Sequence, residues 1–285
     1  MSNPVFSNSA IFGEPRRGRT TTIQPSPYQA AGTGTAASAG MDAASLEQMY
    51  GAPTATTRDT MRMTYDDVII KTAGLLALLV AVAAVTWYVA PGLFFVGMIV
   101  GLVLGLINAF KKEPSPVLIV AYTIAQGVFL GGISYLFQNL TVDGTATGTA
   151  EPIVLQAVLA TFATFGAALA LYASGKVRVT PKFTRFLMIS MVGYLLFSLL
   201  NFGLSFFVAS AGFGPLRNGW IGIAVGLFAV GLATMSLIVD FDSIKRGVQQ
   251  GVPVRYAWSA AFGLIVTLVW LYLEILRILA ILRND

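Results

Sequence analysis

The chain contains no cysteine and no histidine among its 285 residues. Without cysteine it has no disulfide framework, no thiolate metal site and no cysteine nucleophile. Without histidine, a response to pH near neutrality has to use another group, and a poorly hydrated carboxylate is the remaining candidate. The two absences therefore leave Asp and Glu as the candidate pH-sensing groups.

Charged residues are also scarce. They make up 11% of the chain, whereas apolar residues make up 56%. A soluble domain normally carries about 25% charged residues. With a mean hydropathy of +0.75, the composition predicts a membrane protein. The N-terminus lacks a basic stretch followed by an apolar one, so we expect no cleavable signal peptide.

Recognisable catalytic motifs are missing. No glycine-rich nucleotide loop occurs between an apparent strand and a helix, and no His/Asp/Ser set for hydrolysis is available. We therefore expect no enzymatic activity and no cofactor.

Long apolar runs dominate the remainder of the chain. Crossing a bilayer core takes about 20 apolar residues, and seven segments approach or exceed that length. The predicted spans lie near 70–90, 92–110, 116–139, 152–174, 184–210, 219–241 and 256–281. The sequence thus predicts an all-α protein with seven transmembrane helices in a domain of residues 61–285.

The basic residues orient these spans. Fifteen of the 18 Lys and Arg residues fall on the side that holds the N-terminus. By the positive-inside rule the N-terminus is cytoplasmic and the C-terminus outside, in a multi-pass protein of the cell membrane. Anionic lipid headgroups account for the net charge of +5, so no nucleic-acid partner is needed.

Residues 1–60 differ from the rest in being rich in Pro, Gly, Ser, Thr and Ala. Such a segment has little to bury and is predicted to be disordered. A plain solvated tail is the simpler interpretation, and a partner-binding segment is the alternative. Residues 61–71 are predicted to form a short interfacial helix, with Thr64 as its N-cap and Asp66 and Asp67 in its first turn.

Glycines recur at four-residue spacing in three of the predicted spans. Each pair leaves one face of its helix nearly smooth, which lets a neighbouring backbone approach closely. The pairs are Gly97/Gly101/Gly105, Gly127/Gly131 and Gly222/Gly226. We interpret them as packing surfaces.

Asp240 is the most informative polar residue of the spans. It directly follows the apolar run 219–239, and Asp242 lies two residues later. A carboxylate at this depth loses hydration unless it is paired, wetted or protonated, so an ionisable residue there indicates function. The alternative is a solvated charge at a helix end.

The last span carries a second acid, Glu274. Arg277 follows it at a spacing of three, which places both on one helix face where they can pair. Simple ion pairing and a functional role are about equally good explanations of Glu274.

Three features together resemble the Bax inhibitor-1 family. The chain has seven spans, its sixth span ends Val239-Asp-Phe-Asp-Ser-Ile-Lys245, and its last span reads Leu271-Tyr-Leu-Glu-Ile-Leu-Arg-Ile-Leu279. The similarity is closest to its bacterial YccA-like branch, in an actinobacterial form with a long N-terminal tail. It covers about residues 65–285.

The resemblance implies a seven-helix protein in which the last helix is central. It further implies a pH-sensitive calcium leak channel, in which one aspartate on the sixth span and one on the seventh share a proton. A basic residue after the second span would latch onto the first of these carboxylates and hold the pore shut.

Carried over by position, the resemblance makes Asp240 the sixth-span aspartate and Lys112 the latch. Apart from the resemblance, a hard cation prefers oxygen ligands, which suits Asp240 and Asp242 and makes Asp240 the candidate Ca²⁺ ligand. The position of the second acid depends on how the last span is aligned to the family. Matching Leu-Tyr-Leu-acid selects Glu274, whereas matching the chain end without a gap puts Thr267 at the family's aspartate position. We prefer the gapless match, on which the two-carboxylate sensor is broken, or rebuilt with Asp242 as the second acid.

Two other functions compete with the leak channel. A non-conducting regulator that binds another membrane protein, such as a membrane-bound protease, is the main alternative. A proton-coupled carrier would need an internal repeat or broken helices, and the sequence shows no convincing repeat.

Overall fold

The computed structural model describes residues 61–139, 152–208 and 214–284. Within these ranges it is all-helical, and seven helices are long and apolar enough to cross a membrane. They are α1 (Tyr65–Val89), α2 (Phe94–Phe110, preceded by a short 3₁₀ turn Pro91–Leu93), α3 (Pro116–Asn139), α4 (Ile153–Ala173), α5 (Pro181–Leu204), α6 (Gly219–Gln249) and α7 (Tyr256–Asn284). The prediction of seven spans is confirmed, and the predicted tail 1–60 lies outside the described residues.

The start of α1 corrects one prediction. Residues 61–71 do not form a separate interfacial helix, because α1 runs without interruption from Tyr65 to Val89. The predicted cap is confirmed: the Asp67 backbone N–H donates to Thr64 Oγ1 at 3.2 Å, and the Thr64 N–H donates to Asp67 Oδ2 at 3.0 Å. This reciprocal capping box satisfies two N–H groups that the first turn would otherwise leave free.

The end of α6 corrects a second prediction. The predicted span stops near residue 241, but the helix continues to Gln249. Asp240 therefore lies nine residues before the helix end, about 13 Å along the axis. It is not a frayed helix-end charge.

The seven helices differ greatly in burial. Of the 18-residue apolar window in each helix, α7 buries 78%, whereas α2 and α5 bury 11% each. α7 packs most extensively on α6 and also contacts α1, α3 and α4. Its buried side chains, including Leu264, Leu268, Leu271 and Leu276, form much of the apolar core.

The glycine pairs lie where helices approach each other, which confirms the packing interpretation. Gly97 of α2 faces the backbone of Phe129 on α3, and Gly127 of α3 faces Val82 on α1. In the same way, Gly226 of α6 lies against the Ile278 side chain of α7. Because these contacts hold backbones close together, added side-chain volume has nowhere to go.

We expect Gly131→Ala to lower the free energy of unfolding by about 1–3 kcal/mol, the usual cost of overpacking. A Cβ at Gly131 would lie 2.9 Å from Thr86 Cβ and would overlap the Ala83 carbonyl on α1. Unfolding of the purified protein in detergent measures the change.

Gly166→Ala is the matched control, because no heavy atom lies within 4 Å of a Cβ built there. It should leave stability unchanged or raise it, since alanine has the higher helix propensity. Equal stability of the two variants would contradict the close approach of α1 and α3.

Candidate functional site at Asp240

The Asp240 side chain faces α7. Thr267 Oγ1 of α7 donates a hydrogen bond to Asp240 Oδ2 at 2.8 Å. One turn earlier on α7, Gly263 presents no side chain, and a Cβ there would come within 3.9 Å of Asp240 Oδ1. A hydroxyl and a bare backbone thus leave room for a carboxylate between two closely packed helices.

A cleft of about 490 Å³ opens beside Asp240, where α6 ends and α7 begins. Asp240 and Tyr256 are the titratable side chains among its lining residues, and two serines add hydroxyls. The other walls are mostly apolar. The lining consists of Met63, Asp240, Ser243, Ile244, Gly247, Val252, Pro253, Tyr256, Ser259, Ala260 and Gly263.

One wall of the cleft comes from the segment before α1. The Met63 N–H donates to the Val252 carbonyl and the Val254 N–H to the Met61 carbonyl, both at 2.8 Å. These bonds form an antiparallel bridge between Arg62 and Pro253, so residues 61–63 lie along the α6–α7 loop. The Met63 side chain is 4% exposed, and the bridge holds it against the cleft.

Asp242 lies in a different environment. Tyr172 of α4 donates to Asp242 Oδ1 at 3.2 Å, and Arg246 Nη2 lies 2.9 Å from Asp242 Oδ2. Two residues along an α-helix rotate a side chain by about 200°, which places the two aspartates on opposite faces. The structure therefore does not bring Asp242 together with Asp240.

Glu274 is buried on α7, two turns beyond Thr267. It forms an ion pair with Arg277 on the same helix and accepts a hydrogen bond from Tyr194 of α5. The Trp270 indole N–H donates to it as well, at 3.3 Å. Glu274 and Arg277 are 5% and 6% exposed, so the pair is almost completely out of contact with solvent.

A family model, Bax inhibitor 1 like, matches residues 3–284. The chain belongs to this family. With its seven apolar helices, it is a multi-pass membrane protein. Among curated proteins, none matches this chain.

The geometry favours one of the two alignments to this family. The group that meets Asp240 across the α6–α7 interface is Thr267, the residue that the gapless match puts at the second aspartate position. Glu274 is seven residues, about 10 Å, further along α7. The position at which the gapless match expects a second aspartate is thus occupied by a threonine that contacts Asp240.

Lys112, the predicted latch, is exposed in the short connection between α2 and α3. Of the four ion pairs between described residues, none includes Lys112 or Asp240. Its neighbour Glu113 pairs instead with Arg255 of the α6–α7 loop, at 3.3 Å. The assignment of Lys112 as a latch stays a prediction.

Sequence reasoning missed three contributors to these sites. Met63 walls the Asp240 cleft, Tyr172 binds Asp242 and Tyr194 binds Glu274. Each comes from an element distant in sequence, and a tyrosine in a span carries no pattern that names its partner. The signal for Met63 was weak but present, since it directly precedes the Thr64 cap and is therefore held close to the membrane domain.

Proposed function

We propose that the protein is a pH-sensitive cation leak of the cell membrane, with Ca²⁺ as the permeant ion and Asp240 as the group that titrates. The observation that carries this proposal is the position of Asp240. It lies inside a membrane-spanning helix, at a cleft open toward one end of the bundle, and forms no ion pair among the described residues.

The proposed orientation follows from the basic residues and the family resemblance. The N-terminus and the cleft are then cytoplasmic, the C-terminus is outside, and α7 is the central helix. The high burial of α7 supports the last point. A cation entering from the cytoplasmic side would meet the cleft first and Asp240 at its inner end.

The proposed response to pH follows from the charge of Asp240. When ionised, the carboxylate attracts a cation into the cleft, and protonation removes that attraction. We therefore expect flux to rise as pH increases from 6 to 8.

Reconstitution in liposomes that contain a calcium reporter tests the proposal. The wild-type protein should show Ca²⁺ flux that rises with pH, and Asp240→Asn should give low flux with no pH dependence. Asp66→Asn, at an exposed acid in the first turn of α1, is the matched control and should behave as wild type. Absent flux, or the same pH-dependent flux in wild type and Asp240→Asn, would overturn the proposal.

The latch has its own test. If Lys112 competes with cations for the ionised Asp240, it limits flux most at high pH without cancelling the rise of flux with pH. Lys112→Gln should then increase flux severalfold at pH 8 and have a smaller effect at pH 6, because protonation of Asp240 weakens its attraction for a lysine. Lys111→Gln is the control, since it removes an equal charge from the adjacent position. Equal effects of the two variants would indicate a general surface-charge effect and not a latch.

The alternative of a non-conducting regulator that binds a membrane protein stays a prediction. A protein of this kind would show no flux in any of the preparations above. Its predicted contacts include the tail 1–60, so deletion of the tail should abolish capture of the partner while Asp240→Asn should not.

A further inference from the structure

The cleft at Asp240 has an uncompensated negative charge when the carboxylate is ionised. Two basic side chains at this end of the bundle pair with other acids, Lys71 with Asp67 at 3.5 Å and Arg246 with Asp242 at 2.9 Å, and no ion pair between described residues includes Asp240. Across the described ranges, Thr267 is the one group that donates a hydrogen bond to Asp240, and it donates to Oδ2. Oδ1 is left for another donor.

The side chains around this carboxylate offer few oxygen atoms for tight binding of a divalent metal. Ca²⁺ takes six to eight oxygen ligands, commonly from several carboxylates. Among the residues that the structure describes, no three acidic side chains form a group that could hold a metal ion. The side-chain oxygens of the cleft come from one carboxylate, Ser243, Ser259 and Tyr256. The site therefore suits a single positive charge that brings its own hydrogen-bond donors.

The rest of the cleft suits an apolar group. Met63, Ile244, Val252, Pro253 and Ala260 contribute aliphatic or thioether surface around the carboxylate. The volume of about 490 Å³ lies in the range of small-molecule sites in proteins, which are mostly apolar with a few polar groups that fix orientation. A hydrated inorganic ion would leave these walls without a partner.

We propose that this cleft is a binding site for a monovalent organic ammonium ion, namely a protonated primary amine that carries a small apolar group. The ammonium donates to Asp240 Oδ1 and to the serine hydroxyls, and the apolar group packs against Met63 and the α6–α7 loop. The charge-assisted hydrogen bond supplies orientation, while burial of the apolar group supplies affinity. Binding of this kind does not require that the protein conducts Ca²⁺.

Calorimetric titration of the full chain in detergent tests the proposal with benzylammonium and benzyl alcohol, which have nearly the same shape but differ in charge. At pH 8 we expect benzylammonium to bind at least about 10-fold more tightly than benzyl alcohol. Asp240→Asn should reduce benzylammonium affinity to that of the alcohol. Asp66→Asn, which removes an exposed acid near the same end of the bundle, should keep the preference.

A second variant tests whether the ligand occupies the cleft, without changing the carboxylate. Ser259→Phe places a ring in the cleft and should abolish benzylammonium binding, so the proposal remains testable even if Asp240→Asn fails to fold. Equal affinity for the two compounds, or an unchanged preference in Asp240→Asn, would overturn it. So would displacement of benzylammonium by Ca²⁺ at lower concentrations than the amine itself requires, because the site would then prefer a divalent ion. None of these titrations measures flux, so their failure is distinct from failure of the proposed leak.

Discussion

Glu274→Ala is expected to lower the free energy of unfolding by about 3–5 kcal/mol, because it leaves the Arg277 guanidinium buried without a counter-charge. Both side chains are at least 92% buried, and they form an ion pair on one face of α7. Tyr194 loses its acceptor in the same variant, which releases a contact between α5 and α7. Titration of the purified protein with a denaturing detergent measures the loss.

Two comparisons separate the charge effect from a general loss of packing. Glu113→Ala removes an exposed carboxylate that also pairs with an arginine, Arg255, and should have little measurable effect. The double variant Glu274→Leu/Arg277→Met removes both buried charges while keeping volume, and should recover most of the lost stability. If Glu274→Ala costs no more than Glu113→Ala, the pair does not contribute in the way its burial indicates.

Thr267→Asp is expected to raise the pH at which flux is half-maximal by about one unit or more, and to broaden the transition. The present hydroxyl lies 2.8 Å from Asp240 Oδ2, so a carboxylate at this position would lie within hydrogen-bond reach of Asp240. Two carboxylates so close share one proton, and the second ionises only at higher pH. The variant would thereby rebuild the two-acid arrangement that the family resemblance implies.

Thr267→Val is the control for this variant, since it has the same shape but cannot donate to Asp240. It should not produce a second titration step. Infrared spectra of the protonated carboxyl groups give a measurement that does not depend on flux: Thr267→Asp should show two coupled steps where wild type shows one. A single step at the wild-type pH in Thr267→Asp would show that residues 240 and 267 do not interact.

Much of the helical frame could be predicted from the sequence for one physical reason. In lipid every backbone N–H and C=O has to be satisfied within its own segment, so an apolar run of sufficient length becomes a helix. The seven spans, the Thr64 cap and the glycine contacts all follow from local patterns of this kind. The length of α6 does not, because the residues after Asp240 are polar enough to resemble a loop, yet they continue as helix to Gln249.

The sequence was enough to identify Asp240 but not to decide all of its contacts. Asp240 could be identified from its place at the end of an apolar run, and the gapless match pointed to Thr267 as the residue opposite. Which of Asp242, Glu274 or Thr267 contacts Asp240 depends on how α6 and α7 pack, and that is set by side chains along both helices. The pairing of Asp242 with Tyr172 and of Glu274 with Tyr194 depends in the same way on α4 and α5.

The sequence by itself thus determined that the protein lies in a lipid bilayer, how many helices cross it, and that one of these helices contains an ionisable group. Composition and apolar length decide these properties, because they fix the free energy of each segment in lipid separately. Only the tertiary structure decided the surroundings of that group: a threonine hydroxyl across the helix interface, a half-apolar cleft, and no ion pair in the described part of the chain. The reason is that the rotation and register of packed helices depend on contacts between residues far apart in sequence, which no single segment specifies.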